Sequence, residues 1–264
     1  FTVKVNLVGE SENGGGFSGS ASITVFGEQV PSSTKWRYYK TELNRIELNN
    51  VKIAVLTLGG FIEFYRDDVV YGSGFAGALK MEIDLKASKI GIDVRCIFGK
   101  KPLPTNANDI YRYWAVDAMV SIPAIAAFPP VLFLNGFGGG ANYHMGVSNT
   151  PASAAKFVSQ TGIAYVPDHT KGLGLKAMIG IQGATRKAYE GQVIFEIQFR
   201  AEGGVSMIAF SGYVQVASLG NFDQLAKLKS SIGGMVDKVN ATTGGKAVFD
   251  AGPASNTQVY GEIQ

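Results

Sequence analysis

The sequence predicts an all-β protein of long antiparallel hairpins, forming a sandwich or a strongly curved, partly closed sheet, with one amphipathic helix near its C-terminal end. Three observations predict it. One phrase recurs three times: an aromatic residue, any residue, glycine, then apolar residues at every second position. It reads Phe17-Ser18-Gly19 before Ala21, Ile23 and Val25, and Phe75-Ala76-Gly77 before Leu79, Met81, Ile83 and Leu85. It reads Tyr189-Glu190-Gly191 before Val193, Phe195, Ile197 and Phe199, and a shorter copy lies at 259–263. Strand side chains alternate faces, so the aromatic, the glycine and the apolar series share one face. Second, 34 glycines without a collagen period suit a chain of many turns and bulges. Third, the alternating segments come in pairs at hairpin spacing. The apolar face is expected to point into a core and the polar face to water.

Residues 2–8 and 18–26 are strands flanking Gly14-Gly15-Gly16. Residues 51–58 and 61–65 flank Gly59-Gly60, and the charged loop 66–74 feeds a strand at 76–85. Residues 90–98 follow across a short turn, and the polar stretch 99–109, with Pro102 and Pro104, reads as a loop. Residues 111–122 and 131–134 are the next strands. Pro123, Pro129 and Pro130 break the apolar stretch 119–137 and argue against a transmembrane helix there. A short helix is expected around 151–159, then a hairpin of 172–183 with 192–201, then a strand at 205–217. The period then changes. Phe222, Leu225, Leu228, Ile232, Met235, Val236 and Val239 recur every three or four residues, which predicts a helix over 221–239 capped by Asn221 and covering a sheet end or edge.

Apolar residues make up 46% of the 264 and charged residues 17%, which excludes general disorder, and a chain of this length buries enough surface to fold without a disulfide staple. The formal charge of +3 comes with no basic cluster, so nucleic acid is not an expected partner. The single cysteine, Cys96, lies in an alternating run and is expected to be a small core residue. The chain reads as one module over 1–264, with sub-boundaries at 99–109 or 146–162. It opens and closes inside strands, as a piece of a longer, exported protein would.

Several phrases carry a resemblance. They are Gly60-Phe61 with Phe64-Tyr65 and Asp67-Asp68; Tyr71-Gly72-Ser73-Gly74-Phe75; and Tyr111 to Asp117. Further on come Gly136-Phe137-Gly138-Gly139-Gly140 with Tyr143-His144-Met145, and Tyr165-Val166-Pro167-Asp168 with Gly172-Leu173-Gly174. Over roughly residues 45 to 215 the chain resembles segments of long, uncharacterised, strand-rich secreted or cell-surface proteins of bacteria that carry many such modules and have no assigned activity. The resemblance implies export and membership of a larger assembly or longer chain, and no catalytic residues.

Candidate chemistry is sparse. The run 131–140 looks like a strand feeding a phosphate loop, but no helix start follows the glycines, so it is read as a glycine bulge or wide turn. Thr242 to Ala247 lacks the residues of a P-loop. Two histidines cannot make a His/Cys zinc site without carboxylates, which leaves His144, His169 and Asp168 as weak metal candidates. Asp67-Asp68 is a weak calcium candidate. No Gly-x-Ser-x-Gly elbow occurs, Cys96 is no nucleophile candidate, and neither an enzyme nor a cofactor is expected. Two aromatic–cationic clusters hold both tryptophans: Trp36, Tyr38 and Tyr39 around Arg37, and Tyr111, Tyr113 and Trp114 around Arg112. Trp36, Tyr38, Tyr111, Tyr113 and Trp114 are candidate stacking residues for sugar rings. The leading reading is a non-enzymatic structural or interaction module, extracellular or at the cell surface, whose partners are other modules of the same chain or other copies. The alternatives are a carbohydrate-binding module and an outer-membrane β-barrel.

Overall fold

The structure is a computed structural model describing residues 2–10, 16–86, 88–129, 131–148, 155–184, 189–216, 248–251 and 256–263. The two-residue periodicity becomes strands Thr2–Glu10 (β1), Gly16–Gln29 (β2), Trp36–Ile53 (β3), Leu56–Asp68 (β4) and Gly72–Asp84 (β5). Next come Lys89–Leu103 (β6), Asn106–Phe128 (β7), Leu132–Tyr143 (β8), Met145–Val147 (β9) and Tyr165–Pro167 (β10). Lys171–Gln182 (β11), Tyr189–Arg200 (β12), Val205–Val216 (β13), Val248–Ala251 (β14) and Asn256–Ile263 (β15) complete them. Thirteen form one antiparallel sheet in the order β1-β2-β3-β4-β5-β6-β7-β8-β11-β12-β13-β15-β14, and β9 pairs with β10 apart from it. The sheet is not closed: β1 and β14 are its edges among the described residues. No helix occurs among the described residues. The helix expected at 221–239 lies outside them.

Several boundaries differ from the expectation. Gly59 and Gly60 sit inside β4, and the turn is at Ala54-Val55, where Ala54 takes the left-handed conformation (φ 53). Most of the polar stretch 99–109 is strand, because β6 continues to Leu103 and β7 begins at Asn106. The glycines 136–140 make no wide turn: they lie in the middle of β8, directly after a register shift at Asn135. Residues 155–159, the described half of the short helix expected at 151–159, are not helical. Polar and glycine-rich strands carry little apolar periodicity, which is why alternation did not find them.

The larger difference concerns which face is buried. An unbroken register row runs from Val5 on β1 through Ala21, Ile46, Ile62 and Gly77 to Cys96 on β6. It continues through Val116, Ala141, Leu175 and Ile197 to Ile208 on β13. Its neighbours on the same face include Leu79, Ile179, Phe195 and Phe210, all exposed. The alternation is as expected, but the apolar series points outward. The polar series points inward because the sheet curls around it: one cavity is lined both by Glu47 of β3 and by Gln192 of β12, far apart in the strand order.

Inward glycines make room for this. Gly136, Gly138 and Gly140 of β8 all share the inner face with Asp117 and Lys176. A Cβ at Gly138 would stand 2.8 Å from both Met119 Sδ and Met178 Cε, and one at Gly99 would collide with the Tyr113 ring. Long side chains of neighbouring strands therefore lie over bare backbone. At the outward Gly77 the nearest atoms to an added Cβ are instead the Phe61 carbonyl oxygen, Ile62 Cγ1 and Cys96 Sγ, none of them from a ring. Cys96 is half-buried on the outer face, with burial raising its thiol pKa, and is not a core residue.

Candidate functional site

At one end the connection from β8 to β11 folds onto the inner face. His144 takes the left-handed conformation (φ 53) directly after β8, which swings the chain inward to β9. The Asp168 N–H donates to the His144 carbonyl (2.8 Å), closing the excursion at its base. Residues 155–167 then form a plug. Phe157, Ile163 and Tyr165 pack with Tyr65, Tyr71, Ile97 and Tyr113 into the hydrophobic core. The Tyr71 hydroxyl donates to the Tyr165 carbonyl (3.0 Å) and accepts from the Lys156 N–H (3.3 Å). Tyr65 and Tyr113 share a hydroxyl–hydroxyl hydrogen bond of 2.8 Å, and the Tyr113 hydroxyl also donates to the Tyr71 carbonyl. Burial raises the Tyr71 pKa, and burial together with the Glu196 carboxylate raises that of Tyr165 further, so both phenols remain protonated donors.

Beneath the plug, one inner register row carries Arg95, Asp117, Gly140, Lys176 and Glu196 on consecutive strands of the sheet. Opposite charges alternate around the glycine, and the plug is clamped to them. Lys176 Nζ lies 3.4 Å from Asp117 Oδ2, with side chains 5% and 2% exposed. It donates to Ser159 Oγ (2.7 Å) and sits 4.8 Å from the centre of the Tyr165 ring. The Gln160 N–H donates to Asp117 Oδ2 (3.1 Å), Arg95 Nη1 to the Val158 carbonyl (3.0 Å), and the Tyr165 hydroxyl to Glu196 Oε1 (2.7 Å).

Below Gln160, whose side chain donates to the Asp93 carbonyl (3.2 Å), the curved sheet bounds an open cavity of about 690 Å³. Glu47, Glu82, Asp93 and Glu190 line it with Lys80. Most of these acids are compensated locally: Arg45 stands 3.1 Å from Glu47, Lys89 2.7 Å from Glu82, and Lys80 3.9 Å from Asp93. The interior is thus polar, charged and closed at one end by protein.

The outer face is its opposite. At the level of the plug, Phe64, Phe75, Phe98, Trp114 and Tyr143 are direct register partners on five adjacent strands. Phe75 and Phe98 stack with centroids 5.2 Å apart. From this aromatic row the apolar band runs along β4 to Leu56, on β5 to Ile83 and on β6 to Ile90, which pair with one another in register. Across β4–β8 and β11–β13 the band carries no charged side chain among the described residues.

The expected site residues scatter over these surfaces. Trp36 and Tyr38 are exposed near the start of β3, with Arg37 paired to Glu28 at 2.5 Å. Tyr111 and Tyr113 face inward and are buried, while Trp114 faces outward, so the second cluster is split between faces and is no stacking platform. His144 and His169 both lie against the Tyr111 ring, with centroids at 5.7 and 5.6 Å. Asp168 is occupied as a turn former, its Oδ1 accepting from the Thr170 N–H (3.0 Å) and hydroxyl (2.7 Å). Asp68 Oδ1 accepts from the Val70 and Tyr71 N–H groups and its Oδ2 stands 3.5 Å from Lys156 Nζ, tying strand to plug; Asp67 bonds Ser73. Among the described residues no three of these groups stand together to hold a metal ion. Asp117, Lys176, Arg95 and Glu196 escaped the sequence reading, their one signal being charged residues at inward positions of otherwise apolar strands.

No family model, no curated protein and no solved structure matches this chain. No helix among the described residues is long and apolar enough to cross a membrane.

Proposed function

We propose that the convex face lies against lipid hydrocarbon, and that the chain forms the wall of a membrane β-barrel of outer-membrane type whose polar interior is plugged by residues 155–167. One observation carries this reading: the uncharged outer band, set against the charged inner row on the same strands. From Phe64 to Leu56 the band is nine residues long, at the lower end of the roughly 9–11 residues with which a tilted strand crosses a bilayer. An aromatic row at one boundary fits the girdle found at membrane interfaces, and Trp36 and Tyr38 lie toward the same end of the sheet. In water a contiguous face of this size would far exceed the few hundred Å² that soluble monomers leave exposed.

This reading is favoured over a stacked scaffold module or a sugar-binding module, because the exposed apolar positions span the sheet rather than forming a local platform. The edges β1 and β14 have to be met by further strands in a bilayer, since lipid cannot satisfy open backbone groups. Those strands would come from further chain or from other copies, in keeping with the expected partners.

The test is refolding from urea. The chain is expected to become β-rich and protease-resistant on dilution into phosphatidylcholine vesicles or maltoside micelles, and to precipitate in buffer. A monodisperse, β-rich monomer in detergent-free buffer would remove the lipid-facing reading.

A further inference from the structure

We infer that Lys100 and Arg112 form a binding site for the phosphate of an anionic lipid headgroup, an inference that rests on the lipid-facing reading above. The two residues are direct register partners on β6 and β7. They lie on the outer face two residues beyond Phe98 and Trp114, about 7 Å past the aromatic row at strand rise, which is headgroup depth if that row marks the edge of the hydrocarbon.

Both side chains are exposed. Like charges directly opposite each other on a strand pair repel, so the pair is unfavourable unless an anion lies between them. Neighbouring cations are engaged: Arg66 faces Glu42 at 3.7 Å, and Lys101 Nζ donates to the Val70 carbonyl at 2.8 Å. Lys100 and Arg112 make no ion pair among the described residues. The nearby carboxylate of Asp67 is turned to Ser73 Oγ (3.4 Å). Opposite Lys100 on β5 stands Ser73, which is uncharged, so the row at this level is cationic on two adjacent strands.

A guanidinium beside an ammonium matches a phosphate: the arginine fork engages two oxygens and the lysine adds a point charge. The occupant is a lipid rather than free phosphate because the site continues an apolar, aromatic-edged band that would hold the acyl chains. Two cations at the surface of an anionic leaflet give a preference on the order of ten-fold or more over a zwitterionic lipid.

The test uses protein refolded in maltoside micelles, titrated with phosphatidylglycerol or phosphatidylcholine, with retained lipid counted by native mass spectrometry. The wild type is expected to retain phosphatidylglycerol at least ten-fold better. The Lys100→Gln, Arg112→Gln double variant is expected to fold equally well and to lose that preference while retaining phosphatidylcholine as before. Equal retention of the two lipids by the wild type, or an unaltered preference in the double variant, overturns the inference and leaves the lipid-facing reading intact. Displacement of phosphatidylglycerol by inorganic phosphate, but not by chloride at matched ionic strength, would make the site one for free phosphate and overturn the lipid assignment. Failure to fold in micelles or vesicles overturns both readings together.

Discussion

Leu79→Arg is expected to destabilise the protein by about 2–4 kcal/mol when it is folded in a bilayer, the cost of a cation on a barrel's lipid face near the midplane. Leu79 pairs with Gly60 and Val94, and its row is the third of the five that run from the aromatic row to the far edge of the band. Leu79 is 42% exposed. In water the same change at such a surface site would fall within about 0.5 kcal/mol, because an exposed arginine is well solvated. Lys80, the next residue, faces the interior and is already charged, so Lys80→Arg serves as a control expected to be nearly neutral. Urea unfolding in vesicles, compared for the two variants, reads the difference.

Lys176→Met is expected to cost about 3–5 kcal/mol whatever solvent covers the convex face. The substitution leaves the Asp117 carboxylate 2% exposed and without its cation, held only by the Gln160 N–H, while its Oδ1 has no hydrogen-bond partner among the described residues. It also removes the hydrogen bond to Ser159 and the contact over Tyr165, so the plug loosens along with the ion pair. Adding Asp117→Asn should recover part of the loss, since a buried neutral amide is far less costly than a buried lone charge. Protease susceptibility of the 155–167 segment is expected to rise in the single variant and fall again in the double. A single variant as stable as wild type would show that the pair does not hold the plug.

Alternation in the sequence was enough to place β2, β5, β6, β11 and β12, because their apolar residues occupy every second position without interruption. It could not say which face is buried. Period two distinguishes two sides, and a sheet with an apolar core reads the same as a sheet with an apolar exterior. The residues that break the tie are inner ones whose meaning is non-local. Asp117 and Lys176 are distant in sequence and adjacent only through Gly140, and Ser159 reaches them only because His144 turns the chain inward. The Tyr111–Trp114 cluster misled for a related reason: four consecutive residues of a strand belong to two surfaces, so composition within the run overstated a single platform. The glycine run 136–140 misled because glycine marks both turns and the crowded inside of a curved strand.

Depth-resolved quenching of Trp114 tests the lipid-facing claim most directly. Trp36→Phe leaves Trp114 as the only tryptophan, on the outward aromatic row. In vesicles containing lipids brominated at different depths, Trp114 is expected to be quenched most by bromines nearest the headgroup. A tryptophan placed by Leu79→Trp, with Trp36 and Trp114 both changed to Phe, is expected to be quenched most by bromines nearest the chain ends. Quenching of neither residue, or the same depth for both, would contradict a band that crosses the hydrocarbon.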